Sequence, residues 1–392
     1  MRIIIILILG STLFSCRVQK PKSSISDKQE TSSVEIPDTT QIEETPLPPH
    51  VPEPPDTVDI AIHRLLPTSI RIMGVGDMMI GTNFPDDRYL PADSGRSILS
   101  FVSDTLVKAD ITFGNLEGVL LNTGGTPKRC NNPDKCYIFR MPVFMADNFK
   151  RAGFNILSVA NNHSGDFGEE GRLSTKNTLE AAGINFAGYD TKPYTIFRKG
   201  AITYGFVAFS PNKGTASINE VDIAKGIVAH LDSLTDIVIV SFHGGAEGKN
   251  HEHVTRETEF FYGENRGNVY EFSHELIDVG ADVIFGHGPH VVRAIEVYKG
   301  RFIAYSLGNF STYARFNLSG PNAFAPIVDI QISPSGEFLS GKIISAIQTG
   351  LGIPKIDYQN RAANRIRELS KIDFPEAEII VEDSGVISYI QQ

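Results

Sequence analysis

The chain has 392 residues, 41% hydrophobic and 21% charged, which is enough apolar material for a large core and excludes a disordered chain. Its formal net charge is -10 and no Lys/Arg-rich run stands out, so the basic footprint of a nucleic-acid-binding protein is missing. The length allows two or three domains, although single cores of about 250 to 300 residues are also common.

Arg2 followed by the apolar run Ile3 to Phe14 reads as a targeting segment, too short to span a bilayer as a mature helix. It ends in Leu13-Phe14-Ser15-Cys16, which resembles the lipobox of bacterial lipoproteins. The resemblance implies a signal peptide over residues 1–16, with lipidation of Cys16; the alternative is a secretory signal with an incidental cysteine. Acyl chains would anchor the protein stably, since each buried CH₂ contributes about 0.8 kcal/mol. Residues 17–68 are polar and rich in Pro, Ser and Thr, ending in PLPPHVPEPPD, and read as an extended tether. Within them, Asp59 to Leu66 has the pattern of a short helix.

The globular part is expected over residues 69–350. Ser69 to Val75 reads as a first strand, running into Gly76-Asp77. Ser97 to Lys108 has helical spacing; Ile111 to Phe113 is a strand ending in Gly114-Asn115-Leu116-Glu117-Gly118. Two cysteines follow in RCNNPDKCY. In an oxidising envelope Cys130 and Cys136 are expected to form a disulfide that braces a surface loop and takes no catalytic part, since zinc would need two further ligands. Pro142 to Ala152 reads as a helix, and Ile156 to Val159 as a strand ending in Ala160-Asn161-Asn162-His163. Arg172 to Ala182 is helical with Gly183 as its stop. Ile184 to Ala187 and Ile202 to Ala208 are strands, Asp222 to Leu234 a helix, and Asp236 to Ser241 an apolar strand running into Phe242-His243-Gly244-Gly245. After a helix over Val269 to Val279, Val283-Ile284-Phe285 is a buried strand of a parallel sheet, with His287 and His290 at its carboxyl end. Phe302 to Tyr305 is a further strand. Residues 351–392 carry a helix, Gln359 to Leu369, and a hairpin of Glu378–Val381 with Val386–Tyr389, expected to pack on the domain.

Strands alternating with helices argue for α/β architecture, whose strand ends share one face. Those ends hold Asp77, Asn115, Glu117, Asn161, Asn162, His163, Asp166, His243, Glu247, His287 and His290. Taken singly, a Gly-Asp or Asn-Asn pair is a turn and a strand-end histidine a satisfied polar group. Taken together, the mixed His/Asp/Glu/Asn set suits one or two divalent ions of Mn, Zn or Fe better than calcium. A bridging carboxylate such as Glu117 would suit paired ions and phosphoester displacement. No G-x-S-x-G elbow and no P-loop occurs. A paired-carboxylate glycosidase stays open but leaves the histidines unexplained.

GDMMIG, GNLEG, ANNHSGDFG, FHGGAE and GHGPHVVRAIEVYKGRFIAYSLGNF, in this order, resemble the motif series of the CapA family, the poly-γ-glutamate capsule biosynthesis protein domain related in fold to calcineurin-like metallophosphoesterases. The likeness covers roughly Ile70 to Ser345. It implies a metallophosphoesterase-like α/β sandwich of two mixed β-sheets flanked by helices, with a metal site at strand ends. By motif, it implies metal ligation by Asp77, Glu117, Asn162, His243, His287 and His290, and acid catalysis by His163, oriented by Asp166. Two departures stand out. Met79 occupies a position where metallophosphoesterases have a histidine, so one ion is as open as two, and GGAEGKN after His243 lacks the aromatic residues common there. His251 and His253 read as solvated loop residues. The expected function is that of an envelope-tethered, metal-dependent hydrolase or transferase acting on a cell-envelope polymer or its phosphorylated precursor, outside the cytoplasm and alongside capsule-synthesis proteins. The alternative is a non-catalytic assembly or polymer-binding factor that keeps the fold.

Overall fold

The computed structural model describes residues 66–130, 136–377 and 379–389. The expected signal peptide, Cys16 and nearly all of the tether, including the helical pattern from Asp59, lie outside the described residues. Among the described residues no helix is long and apolar enough to cross a membrane.

Two mixed β-sheets flanked by helices form the body, as the motif series implies. The larger has nine strands; along it run Ile379–Val381, Val386–Tyr389, Phe338–Ile344, Ile327–Ile332, Ile70–Met79, Ile111–Leu116, Ile156–Ser158 and Asn185–Ala187, with Asn309–Thr312 also beside Ile70–Met79. The smaller has six, in the order Ile295–Tyr298, Arg301–Ala304, Val283–His287, Ile237–His243, Ile202–Phe209 and Tyr194–Lys199. Ile70–Met79, Ile111–Leu116 and Ile156–Ser158 are mutually parallel neighbours in the first sheet, and Ile237–His243 pairs parallel with Val283–His287 in the second. Chain-distant strands therefore deliver their carboxyl ends to common places.

Alternation along Ile70–Met79 explains the layering, because successive side chains point to opposite faces. Ile70 and Ile72 join Phe113 and Ile156 in a core shared with Phe206, Val240 and Phe285 of the smaller sheet. Phe113 stacks on Phe285 with ring centroids 5.1 Å apart, pinning one sheet to the other. Met73 and Val75 face the opposite way, into a second cluster with Val102, Leu106, Met145 and Phe149 of the helices Ser100–Leu106 and Met145–Arg151. The helices Val221–Asp232 and Val269–Ile277 contribute Val228, Leu231, Phe272 and Leu276 to the first core. Strand Ile237–His243 is buried at every residue, which is why it reads as an unbroken apolar run rather than an alternating one.

Several strands are longer than their apolar patterns. Ile70–Met79 continues through Gly76 and Asp77, and Ile111–Leu116 through Gly114 and Asn115, so these polar groups are strand residues, not turn residues. Glycine permits this by letting backbones press together: a Cβ on Gly76 would lie 2.0 Å from the Gly308 carbonyl oxygen. The helix Arg361–Asp373 packs on Phe338–Ile344, and Val386–Tyr389 joins that strand antiparallel. Strand Tyr194–Lys199 escapes the sequence pattern because it is an edge strand without a fully buried residue.

The crowding at Gly76 predicts opposite signs for one kind of substitution. Gly76→Ala should destabilise the protein by about 3 kcal/mol or prevent folding, as backbone overpacking does. Gly226→Ala, inside Val221–Asp232 with nothing within 4 Å of the added carbon, should be neutral or raise stability by up to about 1 kcal/mol. Denaturant midpoints of the two variants check this.

Candidate metal centre and cleft

Asp77 is wholly buried and engaged on both oxygens. Its Oδ1 accepts from Asn115 Nδ2 at 2.8 Å and lies 3.1 Å from His287 Nδ1, while its Oδ2 lies 2.9 Å from His290 Nδ1. The carboxylate thus fixes two imidazoles by their Nδ1 atoms, the arrangement by which metal-binding histidines are commonly oriented. His290 reaches it from a residue with φ of 59°, and Gly288 makes that turn possible because a Cβ there would lie 2.5 Å from the Gly244 carbonyl oxygen.

Around Asp77 lie polar atoms with no partner. Glu117 Oε1 and Oε2, Asn162 Oδ1, both ring nitrogens of His243, His287 Nε2 and Asn309 Oδ1 are all buried without a hydrogen bond. Ligand atoms of Asp77, Glu117 and His243 fall within 4.8 Å of one another, a spacing suited to a metal ion. His290 Nε2 and His163 Nε2 stand 3.7 and 3.9 Å from Glu117 Oε1. Buried polar atoms are normally satisfied, and a buried unpaired charge costs several kcal/mol. So many donors in one place fit a divalent cation, and imidazole mixed with carboxylate fits Zn, Mn or Fe. Bonding to Asn115 and the imidazoles does not spend Asp77, since Oδ2, engaged by His290 alone, keeps a second lone pair.

Electrostatics agree. Burial and the neighbouring Asp77 charge push the Glu117 carboxyl well above its usual range. Burial works on Asp77 in the same sense but is outweighed by the hydrogen bonds from His287 and His290, leaving its carboxyl well below its usual range. Burial holds His243 in the neutral form that binds metals. Burial also lowers His290, but Glu117 and Asp77 prevail and raise it to about 10. The two acids lack cationic compensation, and His290 is drawn into supplying it.

His163 forms a second unit beside the first. Its Nδ1 lies 2.8 Å from Asp166 Oδ2, and its ring packs against Phe139 with centroids 4.3 Å apart. Asp166 is buried, accepts from Phe139 N at 2.7 Å and has Lys128 Nζ 2.6 Å from its other oxygen. Asn161 is scaffolding: it bonds Asn115 Oδ1 and the Leu116 carbonyl, and its Oδ1 accepts from His163 N. The pair Asn162-His163 is therefore aimed by the residue before it. Burial lowers the His163 pKa, opposed by Asp166.

A cleft of about 630 Å³ opens over both units, with Asn162, His163, His290, Asn309, Lys128, Tyr137, Arg315 and Phe316 among its lining residues. The Cys130–Cys136 disulfide is formed, and Cys136 lines the cleft, so the disulfide borders the site. The other expectations place simply. Met79 is buried in the second apolar cluster and supplies no ligand; His253 pairs with Asp373, and Glu247 lines the cleft with Arg266 Nη2 3.3 Å from it. Sequence reasoning missed Asn309, Lys128 and Phe139. Asn309 was visible within SLGNF, whereas Lys128 and Phe139 reach the site only through the fold.

The bacterial capsule synthesis protein PGA_cap family matches residues 71–313, more than half of the chain. The chain belongs to that family. It is 30% identical over 260 residues to the capsule biosynthesis protein CapA of Bacillus anthracis, covering 60% of this chain and 58% of that one. The PGA biosynthesis protein CapA of Bacillus subtilis is 28% identical over 252 residues, covering 60% and 61%. The matched regions thus span about three fifths of these relatives. Among solved structures, a putative 5'-nucleotidase from Staphylococcus aureus aligns over 77% of this chain and 58% of its own with 16% identity and a TM-score of 0.41, a similarity too low to carry an argument.

If the cluster holds a metal, protein loaded with Mn²⁺ or Zn²⁺ and desalted should retain about one equivalent or more by elemental analysis. The double variant His243→Ala, His287→Ala should lose at least about nine tenths of it, as removal of ligands outweighs the 10–100-fold effect of their supporting partners.

Proposed function

We propose that this chain is a metal-dependent hydrolase or transferase of the capsule-synthesis type, acting on a cell-envelope polymer such as poly-γ-glutamate or on its phosphorylated precursor. The observation that supports it most is the set of unpartnered buried atoms on Glu117, Asn162, His243 and His287 around Asp77. The names of the Bacillus relatives support the polymer and the envelope setting. In this reading residues 1–16 direct export, lipid on Cys16 anchors the chain outside the cytoplasm, residues 17–68 are a tether, residues 69–350 carry the chemistry and residues 351–392 buttress it.

Asp77, Glu117, Asn162, His243, His287 and His290 would hold the metal, one ion or two. A bound divalent ion supplies Lewis-acid polarisation of a phosphoryl or carbonyl oxygen. The chain's own residues do the rest. Asp166 holds His163 by Nδ1, leaving Nε2 to deliver a proton to the departing oxygen, while Phe139 keeps the ring from tilting away. Lys128 pairs with Asp166 at its second oxygen and so fixes the carboxylate that orients the imidazole.

Met79, buried where a ligand was expected, favours a second reading, a non-catalytic assembly or polymer-binding factor. The two differ in their response to His163. Hydrolysis of bis(p-nitrophenyl) phosphate should be abolished by chelation and restored by Mn²⁺. His163→Ala and Asp166→Asn should each lower kcat by about 10²-fold or more with metal content unchanged, the usual contribution of a general acid. Full capsule function in cells carrying His163→Ala would decide for the assembly factor.

A further inference from the structure

The cleft carries one charge that the proposed chemistry leaves unused. Among its charged lining residues, Lys128 is committed to Asp166, Glu247 to Arg266, and His163 and His290 to Asp166 and Asp77. Arg315 has no such commitment. Its guanidinium carbon lies 4.4 Å from the centroid of the Tyr89 ring and 5.5 Å from that of Tyr137, and among the described residues it has no ion-pair or hydrogen-bond partner. Asp86, whose charge it feels, already spends both oxygens on Arg88.

Stacking uses the face of a guanidinium and leaves its N–H groups free in the plane, where they match a carboxylate or phosphate in a two-pronged bond. Two rings thus hold Arg315 in place without neutralising it, which lowers the entropy lost when it grips a ligand. Its position is set by the next residue: Phe316 packs against His290 and Phe139, with centroids 5.8 and 5.3 Å away, tying this wall to both units of the site.

We propose that Arg315 anchors a second anionic group of the substrate, so that the ligand of this cleft carries at least two negative groups, one at the candidate metal centre and one at the guanidinium. This rests on the reading of the cleft as the substrate site. The chemistry shared by acidic polymers and phosphorylated precursors satisfies it, and binding separates them. In the full chain carrying His163→Ala and loaded with Mn²⁺, titration calorimetry with tri-γ-glutamate tests carboxylates, fructose 1,6-bisphosphate tests phosphates, and inorganic phosphate reports the metal centre alone. Adding Arg315→Gln should weaken at least one of the two extended probes tenfold or more and leave inorganic phosphate within twofold; Arg315→Lys should fall between. The probe that weakens identifies the anion. Failure of both extended probes to bind, an Arg315→Gln effect below twofold on both, or an equal loss for inorganic phosphate overturns the proposal. Repeating the titrations on metal-free protein, where the Arg315 dependence should persist, separates this result from any failure of the metal chemistry.

Discussion

Asp77 is the point on which the two sheets agree. It belongs to a strand of the larger sheet and grips His287, the last residue of a strand in the smaller one, together with His290 three residues on. A fully buried carboxylate costs several kcal/mol unless hydrogen bonds or opposite charge repay it. Here Asn115 and two imidazoles do so, and all three must stay in place. The requirement constrains the backbone as well: the strands can meet this closely only because Gly76, Gly288 and Gly308 carry no side chain where they touch.

The compensation stops at Asp77. Glu117 and His243 are equally buried and have nothing to bond to, so the centre is locally unfavourable in a fold whose surroundings are well packed. An apolar core of the same shape would be more stable. Strongly perturbed groups gathered in a cleft point to function rather than to packing. His163 with Asp166 follows a different logic. The groups that orient the ring are themselves held, Asp166 by Phe139 N and Lys128, and Asn161 by Asn115 and the Leu116 carbonyl.

Much of this was legible in the chain. Apolar runs closed by glycine mark the parallel strands, and the polar residues after each run are those found together, Asp77, Glu117, Asn162, His163, His243 and His287 among them. The strand-end placement was slightly off, since Asp77 and Asn115 prove to be inside strands; a buried strand with a glycine in it loses the apolar signal before it ends. Lys128, Tyr137 and Phe139 were hidden because their segment has no periodicity and these residues gain their place from contacts with Asp166, His163, Arg315 and Phe316. The disulfide pairing was readable from spacing and compartment. Its location was not: a segment with such polar composition reads as surface, and Cys136 lines the cleft.

The proposed chemistry depends on the unpartnered atoms around Asp77 being metal ligands. A crystal structure of Mn²⁺-soaked protein, with anomalous scattering to locate the ion, tests it most directly. The ion should lie within about 2.0 to 2.3 Å of a Glu117 oxygen, a His243 ring nitrogen and His287 Nε2. Anomalous density elsewhere, with Glu117 and His243 still without partners at saturating Mn²⁺, would contradict it.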